Sequence, residues 1–187
     1  MSATEQDIDA GTLFRRHGAF VAAFLMRLGI DRAELDDAVQ EVFMTVHRRG
    51  GYRPGPARPT TWLAEIALRV LANRRRSRRR SRVEPDAPTV DRAADPAESP
   101  REAVEIRESL ARLQSALDGL DDDKRAVFVL FELEGEPCES IAAGLGVPLG
   151  TVWSRLHAAR RELTKMHERL LARERGRERV ALQGGAP

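Results

Sequence analysis

The sequence is poor in residue types on which many folds depend. It has one cysteine, so an internal disulfide and a cysteine-based zinc site are excluded. Only 5% of its residues are aromatic, which argues against a β-sandwich or a barrel. The longest apolar run, residues 19–26, is far shorter than the roughly 20 residues that cross a bilayer, and no secretory signal is visible. We therefore expect a cytoplasmic protein without membrane insertion.

Signals for enzyme chemistry are also missing. The four histidines do not have the spacing of metal ligands, and there is neither a phosphate-binding loop nor a nucleophile motif. Cys138 follows a proline at a predicted helix start, where a small hydrophobic residue and a redox sensor are both compatible with the pattern. We expect no enzymatic activity, no cofactor and no bound metal.

Lysine is scarce, and arginine supplies 29 of the 31 basic residues. The net charge of +2 is distributed unevenly, with +7 in residues 1–82, −8 in 83–123 and +3 in 124–187. The planar guanidinium suits phosphates and guanine edges, so this bias is compatible with nucleic-acid binding. Arginine codons are also favoured by a genome rich in G and C, and that explanation stays open.

Apolar residues at helical spacing predict an all-α protein made of two small helical domains joined by an acidic linker. The linker is rich in proline and has few large apolar residues, so it cannot form a core of its own. Its negative charge favours a path along a basic protein channel rather than along DNA. The expected boundaries are residues 10–82 for the first domain, 83–102 for the linker, 103–172 for the second domain and 173–187 for a charged tail.

The segment 139–163 has the layout of a helix-turn-helix. Ile141 lies on the inward face of a short helix, Gly146 supplies the turn, and Pro148 opens a second helix. The second helix directs Val152, Leu156, Ala159 and Leu163 to the core and carries polar and basic residues on its other face. This pattern predicts a recognition helix in the major groove, and an ordinary helical hairpin with a solvated basic face is the alternative.

Two other surfaces are candidates for binding. Seven of the nine residues 74–82 are arginine, which favours a polyanionic partner, although a nonspecific basic tail has the same composition. Tyr52 and Trp62 precede this run and can stack on unpaired bases, while core packing is the other interpretation of the Trp62 ring. On the second predicted helix, residues 36–41 include an acidic, amide-bearing face that suits a basic protein surface or plain solvation.

Three runs of the sequence resemble bacterial sigma factors. Residues 36–43 (DDAVQEVF) are similar to the polymerase-binding helix of that family, and residues 59–67 (PTTWLAEIA), followed by the arginines, resemble its promoter-melting helix. Residues 141–160 resemble its second DNA-binding domain. With a short linker and nothing else, the order of the motifs resembles the extracytoplasmic-function (ECF) group over residues 10–172.

The resemblance implies a region 2 domain at residues 10–82 and a region 4 domain at 103–172. The implied contacts to the clamp helices of the largest polymerase subunit are Asp36, Asp37, Gln40, Glu41 and Phe43. The implied contacts to the melted minus-ten strand are Tyr52, Arg53, Trp62, Arg69, Asn73, Arg76 and Arg79. The implied contacts to the minus-thirty-five duplex are Thr151, Trp153, Ser154, Arg155, His157, Arg160 and Arg161.

Further partners implied by the resemblance are the polymerase β flap, promoter DNA and an anti-sigma factor, in a stress or envelope response. The sequence departs from many members at Arg69 and Asn73, where asparagine and aspartate are common, and at Trp153 and Ala158. Two other functions remain alternatives at this point. One is a stand-alone helix-turn-helix regulator with residues 1–82 as a sensing or oligomerisation module, and the other is an adaptor that binds only proteins.

Overall fold

The computed structural model describes residues 7–81 and 100–183, and every regular element in these two ranges is helical. An isolated bridge joins Ile8 to Tyr52. The predicted all-α fold class is confirmed. The helices are α1 (Ala10–Arg27), α2 (Arg32–Arg48), α3 (Pro59–Ser81), α4 (Pro100–Asp118), α5 (Asp122–Phe128), a π-helical turn (Val129–Leu133), α6 (Cys138–Leu145) and α7 (Leu149–Gln183).

Residues 83–99 of the predicted linker lie outside the described residues. Its expected path along a basic protein channel therefore stays a prediction. Its last three residues, 100–102, already belong to α4. The predicted charged tail begins inside α7, which continues to Gln183. We refer below to residues 7–81 as the N-terminal half and to residues 100–183 as the C-terminal half.

In the N-terminal half, α1, α2 and α3 pack around one apolar core. The Asp9 carboxylate accepts from the backbone N–H of Thr12 at 2.9 Å and starts α1, as expected of an N-cap. Fully buried residues come from all three helices and include Leu13, Phe24, Val42 and Leu63. Gly51 has a φ of +91°, and a Cβ there would lie 2.4 Å from the Ile8 carbonyl oxygen, so only glycine fits this loop.

In the C-terminal half, Asp121 caps α5 by accepting from the backbone N–H of Lys124 at 2.9 Å. The helix that begins at Asp122 does not remain α-helical, and at Val129 it changes into a π-helical turn. There the Glu134 N–H donates to the Val129 carbonyl, five residues back, at 3.1 Å. Gly146, with φ of +66°, makes the turn between α6 and α7 as predicted.

The two halves are in direct contact. The start of α3 packs on α6, and the Thr61 and Ser140 hydroxyl oxygens lie 2.9 Å apart across the contact. Both residues are buried. The helix-turn-helix of the C-terminal half is therefore seated on the N-terminal end of the predicted promoter-melting helix.

Candidate functional site

The predicted polymerase-binding residues lie on α2 in two different environments. Asp36, Asp37 and Gln40 are exposed, and they form an acidic, amide-bearing face. Glu41 accepts from the Arg74 guanidinium of α3, with Nε and Oε2 3.0 Å apart. Phe43 is only 8% exposed and belongs largely to the core. The available face is therefore narrower than the predicted set of residues.

A groove of about 480 Å³ lies beside this face, between α1 and α2. Two large apolar side chains at its edge are half exposed, Phe14 at 52% and Met44 at 51%. The Phe14 ring packs edge-on against Phe43, with ring centroids 5.0 Å apart. The groove is lined by Ala10, Gly11, Phe14, Asp36, Val39, Gln40, Phe43 and Met44. Two exposed apolar residues beside an acidic rim form a surface that a partner protein can cover.

The predicted polymerase-binding residues include neither Phe14 nor Met44. Leu13 is fully buried, whereas Phe14, the next residue of α1, lies on the side of the helix that lines the groove. The signal in the sequence is that the apolar positions of α1 extend beyond a single core-facing side of the helix.

The two aromatic residues of the predicted minus-ten site stand next to each other. Trp62 is partly buried, and its ring centroid lies 5.6 Å from that of Tyr52 in an edge-on contact. The Arg49 guanidinium stands 5.9 Å from the Trp62 ring. Tyr52 is only 6% exposed and donates its hydroxyl to the Ala57 carbonyl at 2.5 Å. Stacking of Tyr52 on a base stays a prediction, and it requires the ring to leave this position.

The arginines of α3 fall into two sets. Arg74, Arg75 and Arg78 bind acidic partners on other helices, Glu41, Asp122 and the pair Asp31 and Glu34 respectively. Arg76 and Arg79 are exposed, as is Asn73. Arg53 is exposed in the preceding loop, and Arg69 pairs with Glu65 one turn away on α3. The arginine run that begins at residue 74 therefore contains two kinds of side chain. Some arginines join α3 to other helices, and others are exposed and can bind a ligand.

The predicted recognition helix is the start of α7. Val152, Leu156 and Ala159 are buried, as their spacing predicted. Trp153 is 50% exposed, and its ring centroid lies 6.4 Å from that of Phe131 in the π-helical turn. The other face presents Ser154, His157, Arg160 and Arg161 as exposed residues, with Thr151 partly buried in the first turn.

Two arginines of this helix already have acidic partners. Arg155 donates to Asp123 at the start of α5. Arg160 donates to Glu132, Nε to Oε1 at 2.7 Å, and its guanidinium lies 5.5 Å from the Phe131 ring centroid. Exposed ion pairs of this kind contribute little to stability, about 1 kcal/mol or less, so phosphate oxygens can compete for these guanidinium groups.

The remaining candidates do not form a reactive centre. Cys138 is buried at the first position of α6, and burial raises the pKa of its thiol, which disfavours the reactive thiolate. Within residues 7–81 and 100–183, no group of histidine, cysteine and carboxylate side chains is arranged to hold a metal ion. None of the described helices combines the length and the apolar character needed to cross a membrane.

Comparison with known proteins supports two sigma-factor units in this order. Residues 13–81 match the Sigma-70 region 2 family, and residues 110–163 match Sigma-70 region 4. The chain is 38% identical over 154 residues to the ECF RNA polymerase sigma factor SigE of Mycolicibacterium smegmatis, over 81% of this chain and 58% of that protein. It is 31% identical over 152 residues to the ECF RNA polymerase sigma factor SigL of Mycobacterium tuberculosis, over 81% of this chain and 84% of that protein.

The fold has a counterpart among solved structures. The sigma factor RpoE of Bartonella quintana, in a co-crystal with the anti-sigma factor NepR, superposes with a TM-score of 0.66 at 22% identity, over 83% of this chain and 94% of that one. At this identity the likeness shows the fold alone. The family matches and the relatives set aside the two alternatives of a stand-alone regulator and an adaptor. The chain belongs to the ECF RNA polymerase sigma factors, the family whose members direct transcription initiation with RNA polymerase.

Proposed function

We propose that this chain binds core RNA polymerase through the exposed face formed by α1 and α2. The observation that carries this proposal is the apolar groove beside Asp36 and Gln40, with Phe14 and Met44 half exposed at its edge. Apolar residues supply the burial that stabilises a protein interface, and the carboxylates at the rim select a basic partner. The clamp helices of the largest subunit are the partner that the family resemblance implies.

Promoter DNA is bound by two other surfaces in this proposal. The exposed arginines of α3, Arg76 and Arg79, neutralise the phosphates of the melted minus-ten strand, and Trp62 supplies a stacking face. The start of α7 enters the major groove of the minus-thirty-five duplex, where His157 and Ser154 reach base edges. The polar face of α7 and the exposed arginines of α3 support this assignment because both are open to a large ligand.

Several finer assignments belong to the same proposal. Region 2 extends over residues 10–82 and region 4 over 103–172, with the acidic linker threading a basic channel of the polymerase. The β flap binds region 4, the protein acts in the cytoplasm, and an anti-sigma factor holds it inactive. The last point is supported by the related fold of the sigma factor that was solved together with an anti-sigma factor.

Co-purification with core polymerase tests the polymerase surface. Asp37→Arg combined with Gln40→Ala should abolish retention on immobilised core enzyme while leaving the helical content unchanged, because both side chains are exposed. Glu168→Arg, which makes the same charge change at an exposed position of α7, is the matched control and should be retained. Unchanged retention of the double variant would overturn the proposed surface.

Run-off transcription with purified core enzyme tests the function as a whole. The parent chain should start transcripts at particular promoters only when core is present, and the Asp37→Arg, Gln40→Ala variant should start none. Promoter binding by the chain alone, with no effect of core enzyme on initiation, would contradict the proposal.

A further inference from the structure

The exposed face of α7 begins with two apolar residues. Leu149 and Trp153 are about one helical turn apart, and they are 39% and 50% exposed. His157 and Arg161 continue the same row at steps of four residues, and both are exposed. The row therefore changes from apolar at the N-terminal end of α7 to polar and basic further along. We call Leu149 and Trp153 the apolar pair of α7.

The Trp153 ring is supported by the π-helical turn. Its centroid lies 6.4 Å from that of Phe131, and the two ring planes are tilted by 59°. The Arg160 guanidinium lies 5.5 Å from the Phe131 centroid and also donates to Glu132, so the Phe131 ring is held in turn. A side chain that is already positioned loses less conformational entropy when its ligand binds. The Trp153 ring is therefore both accessible and positioned.

The start of α7 leaves room for a ligand next to Trp153. Gly150 lies three residues before Trp153 and is therefore its neighbour on the helix surface. Gly150 is exposed, and a Cβ placed on it would meet no atom of the described residues within 4 Å. A flat group such as the edge of a base can therefore approach the Trp153 ring from this side.

The charges near the apolar pair indicate which ligand can cover it. Arg155, Arg160 and Arg161 follow Trp153 on α7, so a ligand for this end of the helix has to be anionic and also has to present apolar groups. Duplex DNA meets both conditions. Its phosphates carry the negative charge, and the C5-methyl group of thymine is the apolar group that a base edge presents in the major groove.

We propose that Trp153, with Leu149 beside it, reads the C5-methyl group of thymine in the upstream duplex. The inference rests on the proposed function, in which the start of α7 enters the major groove of the minus-thirty-five element. The N-terminal residues of such a helix contact base edges. Cytosine is disfavoured at the same place, because its amino group would lose water and find no acceptor on an indole, whose nitrogen only donates.

Exchange of thymine for uracil tests the proposal, because the two bases differ only in the C5-methyl group. Polymerase holoenzyme that contains the full chain selects from a randomised duplex upstream pool, prepared once with thymine and once with uracil. The parent should enrich thymine at one or two adjacent positions of the first pool and lose that preference in the second. On one selected duplex, uracil at those positions should weaken binding about fourfold for each methyl group removed.

Substitution of Trp153 assigns the methyl contact to this side chain. Trp153→Ala should bind the thymine and uracil forms of the selected duplex equally, and its helical content should equal that of the parent because Trp153 is half exposed. Trp153→Phe keeps an aromatic ring and should retain part of the preference. Leu110→Ala is the matched control, since Leu110 of α4 is also apolar and about half exposed, and it should discriminate as the parent does.

The contrary outcomes can be told apart. Identical selection from the two pools by the parent would overturn the inference and leave the proposed function standing. A preference for thymine that survives in Trp153→Ala would assign the methyl contact to another residue. Weaker binding of Trp153→Ala to core enzyme in the absence of DNA, with that preference intact, would show that a protein covers the ring instead. If the parent selects no upstream element from either pool, the proposed function is overturned and the inference with it.

Discussion

Arg155 donates a hydrogen bond to Asp123 and so joins the predicted recognition helix to the first turn of α5. The Arg155 side chain is only 24% exposed, whereas that of Asp123 is 61% exposed. The guanidinium is therefore held against its own domain at the edge of the surface expected to meet DNA. A phosphate oxygen that approaches this edge has to replace the Asp123 carboxylate.

Because a phosphate and Asp123 compete for the same guanidinium, substitutions of Arg155 and of Asp123 should have opposite effects on DNA binding. Arg155→Ala should weaken binding to a minus-thirty-five duplex by a similar factor on all sequences and should reduce the salt slope by about one counterion. Asp123→Ala should strengthen the same binding, because Arg155 no longer has a competing carboxylate. Titrations of polymerase holoenzyme with duplex probes at several salt concentrations measure both effects, and a weaker Asp123→Ala complex would contradict the exchange.

His157 is expected to determine which bases are preferred, whereas Arg155 is expected to affect binding to all sequences alike. It is exposed on the polar face of α7, and we expect it to reach base edges rather than phosphates. His157→Ala should change the preferred bases at a cost of roughly 1–3 kcal/mol for each lost base contact. Selection from a randomised upstream element is the measurement, and an unchanged preference would remove His157 from base recognition.

The groove predicts a polymerase contact on α1. Phe14→Ala should weaken binding to core enzyme severalfold with little loss of stability, because half of the Phe14 side chain is already in water. The neighbouring Leu13→Ala supplies the comparison. Leu13 is fully buried, so its truncation should lower the free energy of unfolding by about 2–5 kcal/mol. Equal loss of stability in the two variants would place Phe14 in the core instead.

The two sets of arginines on α3 should separate binding from stability. Arg76→Ala with Arg79→Ala should impair capture of a single-stranded minus-ten probe and leave thermal stability unchanged, since both side chains are exposed. Arg75→Ala with Arg78→Ala should lower the melting temperature, because these side chains join α3 to α5 and α2. If all four arginines affected the probe and the melting temperature alike, the division would be wrong.

Stability should also fall in mild acid through His17. Burial lowers the pKa of this partly buried imidazole below its usual 6.5, with nearby Arg16 acting in the same direction and Glu136 against it. Because the folded state favours the neutral ring, its contribution is present above pH 6.5 and is lost as the pH falls through the lowered pKa. Melting temperatures between pH 7.5 and 5.5 should decline less for His17→Gln than for the parent.

The sequence predicted local structure well where that structure depends only on residues close together in the chain. The spacing of Val152, Leu156 and Ala159 and the glycine turn at Gly146 can both be recognised from residues only a few positions apart. The division of the arginine run was not predictable, because the positions of Glu34, Asp122 and other partners depend on how distant helices meet. The close approach of Thr61 to Gly144 was not predictable either, because it depends on how α3 and α6 meet.

The candidate site shows the same limit. Residues 36–41 were recognised as an acidic face from their spacing, but the spacing did not reveal that Glu41 is engaged by Arg74. The exposure of Phe14 depends on the angle at which α1 and α2 cross. The roles of the predicted site residues in binding stay predictions, and the variants above test them individually.

The π-helical turn at Val129–Leu133 fixes how α5 is rotated about its axis relative to the helix-turn-helix formed by α6 and α7. A π turn contains one residue more than the α-helical path between the same ends. Removing one residue there would restore an α-helix and rotate α5 by about 100° relative to everything that follows it. Relatives that lack the turn should therefore align with a single-residue gap inside a helix, where gaps are otherwise rare, and transplanting segments between such relatives should succeed only when the junction lies after Leu133.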